Sequence, residues 1–141
     1  AKLLENPLWH VEFLEKFVDY FYDMLLSDGK PLWCGTLIFQ ILQREGEISD
    51  RVYENISRSI IDLISGIYTQ MTGDEDSENA YCWVMSLISP AVLMAVDSAS
   101  VRRFAKTNKI PESLIHKIKT IATINAAAGL TILKTRKLNN D

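Results

Sequence analysis

The sequence is poor in the residues that build metal and catalytic sites, because it holds two histidines and two cysteines among 141 residues. Cys34 and Cys82 share no metal-ligand spacing with each other or with His10 or His116, and both lie in apolar stretches. We therefore interpret both cysteines as buried thiols. No phosphate-binding loop, dinucleotide glycine pattern or Gly-x-Ser-x-Gly motif is present. The sequence thus predicts a protein that is not an enzyme and that binds no cofactor or metal.

Signals for strands and for export are also missing. No Gly-Gly, Asn-Gly or Asp-Gly turn separates alternating apolar residues, and no charged segment followed by an apolar core opens the chain. Apolar residues recur every three and four positions, which is the period of an amphipathic helix. With 48% hydrophobic and 23% charged residues, residues 1–141 can bury one core as a single domain. We predict an all-α, cytoplasmic protein.

Caps and periodicity predict an antiparallel bundle of five long helices and one short helix. The long helices are expected over residues 7–27, 31–45, 49–73, 77–97 and 111–137, and the short one near residues 101–106. The fourth has eighteen residues without charge between Glu78 and Asp97, and a helix that is apolar all round is expected to be buried all round. A membrane span is the rival interpretation, against which stand the acidic flank, the polar residues and Pro90.

Charge is divided along the chain. Residues 1–101 hold six Lys or Arg and sixteen Asp or Glu, whereas residues 102–141 hold nine and two. Such a division can mark a nucleic-acid tail, but these basic residues are spread through an apolar helix without interleaved aromatics beyond Phe104. A solvated basic face is therefore favoured. A solvated face is also expected for the carboxylates that share one stripe of the first helix, which are Glu12, Glu15, Asp19 and Asp23.

Aromatic residues are more numerous than a bundle core requires. Tyrosine and tryptophan carry polar tips that need partners when buried, so several of them pointing inward could surround an apolar cavity. They could equally cover helix ends or reach the surface. On the first interpretation, a pocket for a small apolar or aromatic ligand is predicted among the first four helices, with six contributing residues: Tyr20, Trp33, Gln40, Tyr68, Met71 and Trp83.

The last helix has one face of larger residues and one of small residues. Ile118, Ile121 and Ile132 lie on the first, which we assign to the domain's own core. The small-residue face would let a second backbone approach closely, and the uncharged helix could supply the other half of the seam. We therefore predict a homodimer through eight residues on these two helices: Ile88, Ala91, Val92, Ala95, Ala122, Ala126, Gly129 and Leu133.

The order of the segments adds a resemblance. The first helix pair is followed by "FQILQREGEIS" and a capped helix, by the acidic turn "TGDEDSEN", by the uncharged helix "AYCWVMSLISPAVLMAVDSAS" and by an apolar terminal helix. This order resembles the C-terminal domain of TetR-type bacterial transcriptional regulators, mostly between Trp33 and Phe104. The resemblance implies an effector-binding and dimerising domain. Those regulators contact DNA through a three-helix helix-turn-helix module, for which the residues before Asn6 are too few, so DNA binding is expected only through a module outside this chain.

Two hypotheses of function follow. In the first, the chain senses a small, mostly apolar effector as part of a transcriptional regulator, and the ligand shifts the relation of two subunits. In the second, it is a helical interaction module that assembles with another protein and binds no small molecule. A cavity with polar groups converging on it would favour the first hypothesis, and a solid core the second.

Overall fold

The computed structural model describes residues 7–27 and 32–138, with side chains over residues 9–27 and 37–136. The elements in chain order are α1 (Pro7–Leu26), α2 (Leu32–Leu42), α3 (Glu47–Val52), a π-helical segment (Tyr53–Ser57), α4 (Arg58–Thr72), α5 (Ser77–Val96), α6 (Ser98–Ala105) and α7 (Glu112–Leu138). Because α3, the π-helical segment and α4 are continuous, the described residues form six helices, and they include no strand. The all-α prediction is confirmed.

Local capping explains why α4 ends and α5 begins close to the predicted positions. Gly73 follows α4 in the left-handed conformation, with φ of 68°, and its N–H donates to the Thr69 carbonyl at 2.8 Å. A residue without Cβ adopts that conformation without steric penalty. The Asp76 carboxylate then accepts from the backbone N–H groups of Glu78 at 2.8 Å and Asn79 at 3.3 Å. The acidic turn therefore caps the first turn of α5.

The helix predicted to start at Ser49 begins two residues earlier and changes its winding. Gly46 is the N-cap residue, with φ of 138°, and the Asp50 N–H donates to its carbonyl at 3.0 Å. After one short stretch of α-helix, the chain makes the π-helical segment and then resumes as α4. A π-turn holds one residue more than an α-turn, so it rotates the residues before it by about 100° relative to those after it.

The exposure pattern of this helix departs in part from the core face that its apolar spacing predicts, which is Val52, Ile56, Ile60, Leu63, Ile67 and Met71. Ile67 is buried as expected, whereas Ile56 and Leu63 are exposed. The π-turn offsets Ile56 from the positions after it, because a single period of 3.6 residues cannot be drawn through it. Leu63 lies beyond the π-turn, where the core face of α4 is formed by Ile64, Ile67 and Tyr68.

The core lies among α1, α4, α5 and α7. Two long-range hydrogen bonds connect these helices. The Tyr22 hydroxyl of α1 donates to the Leu87 carbonyl of α5 at 2.8 Å, and Trp83 Nε1 of α5 donates to the Ala126 carbonyl of α7 at 3.3 Å. The Tyr68 ring of α4 lies 5.9 Å from the Trp83 ring, centroid to centroid. Trp83 is therefore in contact with both α4 and α7.

The last helix packs with the face opposite to the predicted one. Ile121, Ile124 and Ile132 are 53%, 60% and 56% exposed, whereas Ala122 and Ala126 are buried. The physical reason is the size of Trp83: a wide indole fits between two helices only where the facing residues are small. The small residues thus make room for a side chain of the same chain.

The predicted dimer residues accordingly lie in or against the core of one copy. Four of them are buried, which are Ala91, Ala95, Ala122 and Ala126. Three more are partly buried against that core, which are Ile88, Val92 and Leu133. A Cβ added at Gly129 would lie 3.8 Å from Trp83 Nε1. A buried alanine cannot contact a second chain, so the four buried alanines cannot form the predicted seam, whereas the role of the four partly exposed residues and the oligomeric state stay predictions.

The expectation of two buried thiols needs correction. Cys82 is exposed and not a buried thiol, whereas the side chain of Cys34 lies outside the described side chains. His10 is buried, with no hydrogen-bond partner for its Nε2 among the described residues. α5 is the one helix in the described ranges that is long and apolar enough to cross a membrane, and six of its residues belong to the core of the bundle.

Candidate functional site

The uncharged helix α5 is not buried all round, and its second face lines a groove. Its core face carries Trp83, Val84 and Leu87. On the other side, Leu93 is 67% exposed, and Tyr81 and Val96 are also exposed. These residues belong to a set that recurs every three or four positions along the groove: Tyr81, Met85, Ile88, Ser89, Val92, Leu93 and Val96. α5 therefore carries no charge between Glu78 and Asp97 because one of its faces packs in the core and the other lines the apolar groove.

The opposite walls of the groove come from α1, α2, the π-helical segment and the start of α4. Their contributions are Phe21, Met24, Leu25, Ile38, Phe39, Leu42, Gln43, Tyr53, Ile56, Ser57, Ile60 and Ile61. The groove has a volume of about 880 Å³. Several of its wall residues are exposed, including Tyr53 and Ile56, so the groove is open to solvent.

Among the residues that the structure describes, none that lines the groove is charged. Its polar groups are the side chains of Gln43, Tyr53, Ser57, Tyr81, Ser86 and Ser89. Two of these hydroxyls already donate to their own helix: Ser86 Oγ to the Trp83 carbonyl at 2.7 Å, and Ser89 Oγ to the Met85 carbonyl. Their oxygen lone pairs can still accept a hydrogen bond. The groove thus combines an apolar body with a few neutral hydrogen-bonding groups.

Two backbone irregularities lie in the walls of the groove. Tyr53, Ile56 and Ser57 belong to the π-helical segment, and Pro90 lies inside α5 across from it. Proline has no N–H, so the Ser86 carbonyl lacks the donor that a regular helix would supply. π-turns occur frequently at functional sites. Both departures from regular winding therefore coincide with the groove.

The structure does not bring the predicted ligand residues together around this groove. Tyr20 is 67% exposed on α1, and Gln40 is exposed on α2. Tyr68 and Trp83 are in contact with each other in the core, and Met71 packs against that core. Trp33 lies in α2, outside the described side chains. None of the five whose side chains the structure describes lines the groove.

The hydroxyl of Tyr68 has a structural partner in place of a ligand. It donates to Asp74 Oδ2 at 2.7 Å, and the amide of Asn79 donates to the same oxygen at 3.0 Å. Burial, followed by the hydrogen bond to Asp74, raises the pKa of Tyr68 to about 12. Burial alone raises the pKa of Tyr22 to about 12 as well. These two tyrosines hold helices together and keep their protons at neutral pH.

A smaller, polar crevice lies between the end of α1 and the start of α7. Lys119 Nζ lies 3.2 Å from Asp19 Oδ1 and 2.7 Å from Asp23 Oδ1, with its side chain 14% exposed. Burial opposes the charge of Lys119, but the hydrogen bonds to Asp23 and Asp19 outweigh it and raise its pKa. The predicted solvated stripe on α1 therefore forms an ion pair between helices at two of its carboxylates. Within the described ranges, no group of His, Cys, Asp or Glu could hold a metal ion.

The sequence did contain a signal for the groove, which is the uncharged length of α5. A helix buried all round and a helix with one core face and one groove face have the same composition, so this signal does not separate them. The small polar residues Ser86 and Ser89 lie on the groove side of α5 and distinguish that side from the core face. Comparison of the chain with family models, with curated proteins and with solved structures gives no significant match.

Proposed function

We propose that the groove binds a small, uncharged and mostly apolar molecule. The observation that carries this proposal is the lining: a volume of about 880 Å³ bounded by apolar side chains and a few neutral polar groups, with no charged residue among the described ones. Known small-molecule pockets have volumes of roughly 300–1,000 Å³ and the same mixture of surfaces. A charged ligand would lose its hydration without gaining an ion pair, so neutral molecules are favoured.

We further propose that this binding serves ligand sensing in a TetR-type transcriptional regulator, of which the chain is the effector-binding and dimerisation domain. The resemblance in segment order supports this assignment. A ligand between α5 and the π-helical segment would favour conformations in which these walls fit it. Because Trp83 of α5 donates to the Ala126 carbonyl of α7, a displacement of α5 would be transmitted to α7. DNA would be contacted through a separate helix-turn-helix module.

Titration with N-phenyl-1-naphthylamine, a neutral apolar fluorophore, tests binding in the groove. Ile56 is exposed and lines the groove, whereas Leu63 is exposed on α4 outside it. Ile56→Glu should reduce probe affinity by about tenfold or more, because a carboxylate would face an apolar ligand without a partner. Leu63→Glu is the matched control and should bind the probe like the unmodified chain. Equal binding by both variants, or no binding by the unmodified chain, would contradict the proposal.

The second candidate function, a helical interaction module, is favoured by the outer face of α7. Ile121, Ile124 and Ile132 are all more than half exposed there. Exposed apolar side chains grouped on one side of a helix often mark a contact with a partner. If a homodimer forms, we propose that this face forms it, in place of the small-residue face. Ile124→Glu should then convert a dimer into a folded monomer, measured by light scattering at tens of micromolar. A monomeric unmodified chain would remove this candidate.

A further inference from the structure

α6 and the loop after it form an exposed surface where α5 ends. We call residues 98–111 the basic corner. No residue of α6 is buried, and Phe104 is 80% exposed, more than any other large hydrophobic residue in the described part of the chain. The basic corner carries four basic residues and no acidic one: Arg102, Arg103, Lys106 and Lys109. An exposed aromatic ring is thus surrounded in sequence by positive charge alone.

Acidic residues stand at the two ends of the basic corner in the sequence. Asp97 precedes it and uses its carboxylate to accept from the Ser100 N–H at 3.3 Å. Glu112 follows it, at the first turn of α7. Arg102 is partly buried and donates to Ser98 Oγ at 2.9 Å. Arg103 and Lys106 are exposed on either side of Phe104 in the sequence, so positive charge remains at this surface.

Lys106 occupies a backbone position that favours glycine. With φ of 55°, it is the one residue other than glycine with positive φ among the described residues. Its N–H donates to the Arg103 carbonyl at 3.2 Å, and the Thr107 N–H donates to the Arg102 carbonyl at 3.1 Å. Glycine would end the helix in this way with less strain. Lys106 therefore carries a backbone strain that glycine would avoid.

We propose that the basic corner docks on the surface of an anionic lipid bilayer. Arginine and lysine next to an exposed aromatic ring match the headgroup region, where the cations meet anionic lipids and the ring enters the acyl boundary. The distribution of charge selects this end of the molecule, because residues 1–97 carry six basic and sixteen acidic residues. Phosphates of a nucleic acid would attract the cations but would leave Phe104 in water unless a base stacked on it. Docking does not depend on whether the groove binds a ligand.

The neighbouring end of α5 adds apolar surface. Leu93 and Val96 lie in its last turn, are exposed, and also line the groove. A docked chain would therefore bring one end of the groove towards the lipid. Apolar molecules partition into bilayers, so a sensor of such a molecule gains a local supply by docking.

Flotation with phosphatidylcholine vesicles, with and without about 30% phosphatidylserine, tests the proposal on the full chain. The unmodified chain should float with the anionic vesicles, and about 0.5 M salt should release it. Phe104→Ser should lower partitioning roughly tenfold. Leu63→Ser, which alters an exposed leucine of α4 outside the groove, is the matched control and should leave partitioning unchanged.

The variant Lys106→Gly tests docking without a loss of folding stability. Relief of the left-handed strain should leave the melting temperature equal or higher, while loss of one cation should lower partitioning roughly fivefold. Unchanged flotation of this variant, or equal binding to neutral and anionic vesicles, would overturn the proposal. So would binding to a DNA duplex at least as tight as to anionic vesicles and unaffected by Phe104→Ser, since the basic corner would then be a nucleic-acid surface.

Discussion

Replacing Gly66 and Gly129, two glycines in the interior of helices, by alanine should stabilise the protein. Gly66 lies in α4, and a Cβ built there meets nothing within 4 Å. Gly129 lies in α7, where an added Cβ would be 3.8 Å from Trp83 Nε1 and 3.9 Å from its Cδ1. Both distances are ordinary van der Waals contacts. Neither site therefore requires a residue without a side chain inside this chain.

The expected gain follows from the entropy that glycine loses in a helix. Glycine is about 1 kcal/mol less favourable than alanine in a helix interior. For a domain of 141 residues, an unfolding entropy of about 2.1 cal/mol/K per residue converts 1 kcal/mol into a melting-temperature increase of about 3 °C. The contact with Trp83 should make Gly129→Ala at least as favourable as Gly66→Ala. The two gains should add, because Gly66 shares no partner with Gly129.

Urea unfolding monitored by circular dichroism measures the free energy of unfolding of both single variants and of the double variant, at several protein concentrations. A higher free energy of unfolding for Gly66→Ala together with a lower one for Gly129→Ala would refute the packing described for α7. It would mean that something other than Trp83 approaches Gly129, such as the backbone of a second copy. A loss that grows with protein concentration would identify that second copy directly.

Three other perturbations follow from the contacts. Tyr68→Phe should cost about 1–2 kcal/mol in urea unfolding through the lost bond to Asp74. Burial and then Asp74 raise the pKa of Tyr68 from 10.0 to about 12. The contribution of the Tyr68 hydroxyl to stability is therefore present below pH 10 and lost as pH rises towards 12. Between pH 10 and 12, Tyr68→Phe should lose less stability than the unmodified chain. Ala126→Glu should unfold the chain by burying a charge, whereas Ala128→Glu, on the exposed face, should keep its helical circular dichroism signal. Lys119→Met should cost about 1 kcal/mol in low salt and less in high salt, because two exposed aspartates lose their partner.

The end of α4 and the start of α5 could be predicted because their causes are local. Gly73 and Asp76 determine the end of α4 and the start of α5 through bonds that span only a few residues. Such signals are visible in the sequence without knowledge of the packing. The all-α class follows from the same periodicity.

The orientation of α7 could not be predicted, because periodicity identifies faces without saying what each one meets. The interpretation gave the isoleucine face to the core, since larger side chains bury more area. The structure instead places Trp83 against the small residues, with Ala126 accepting its indole hydrogen bond. Complementarity between one large side chain and several small ones depends on which helices are neighbours, and the sequence does not contain that information directly.

The groove was missed for a related reason. Its walls combine α5 with a π-helical segment, and no residue pattern marks where a helix holds an extra residue. The predicted pocket grouped polar-tipped aromatics, two of which, Tyr68 and Trp83, satisfy their polar atoms inside the core. The sequence shows which side chains carry polar atoms, but it does not show which of these atoms already have hydrogen-bond partners in the core.

The π-helical segment also bears on how the groove can arise or disappear between related sequences. A π-turn differs from an α-turn by one residue, so loss of one codon within residues 53–57 would let α3 and α4 join as a regular helix. That deletion would turn Ile56 and Ser57 relative to α5 while leaving the core face of α4 in place. A one-residue gap in this segment would therefore separate homologues that keep the groove from those that do not, even where every lining residue is conserved in type.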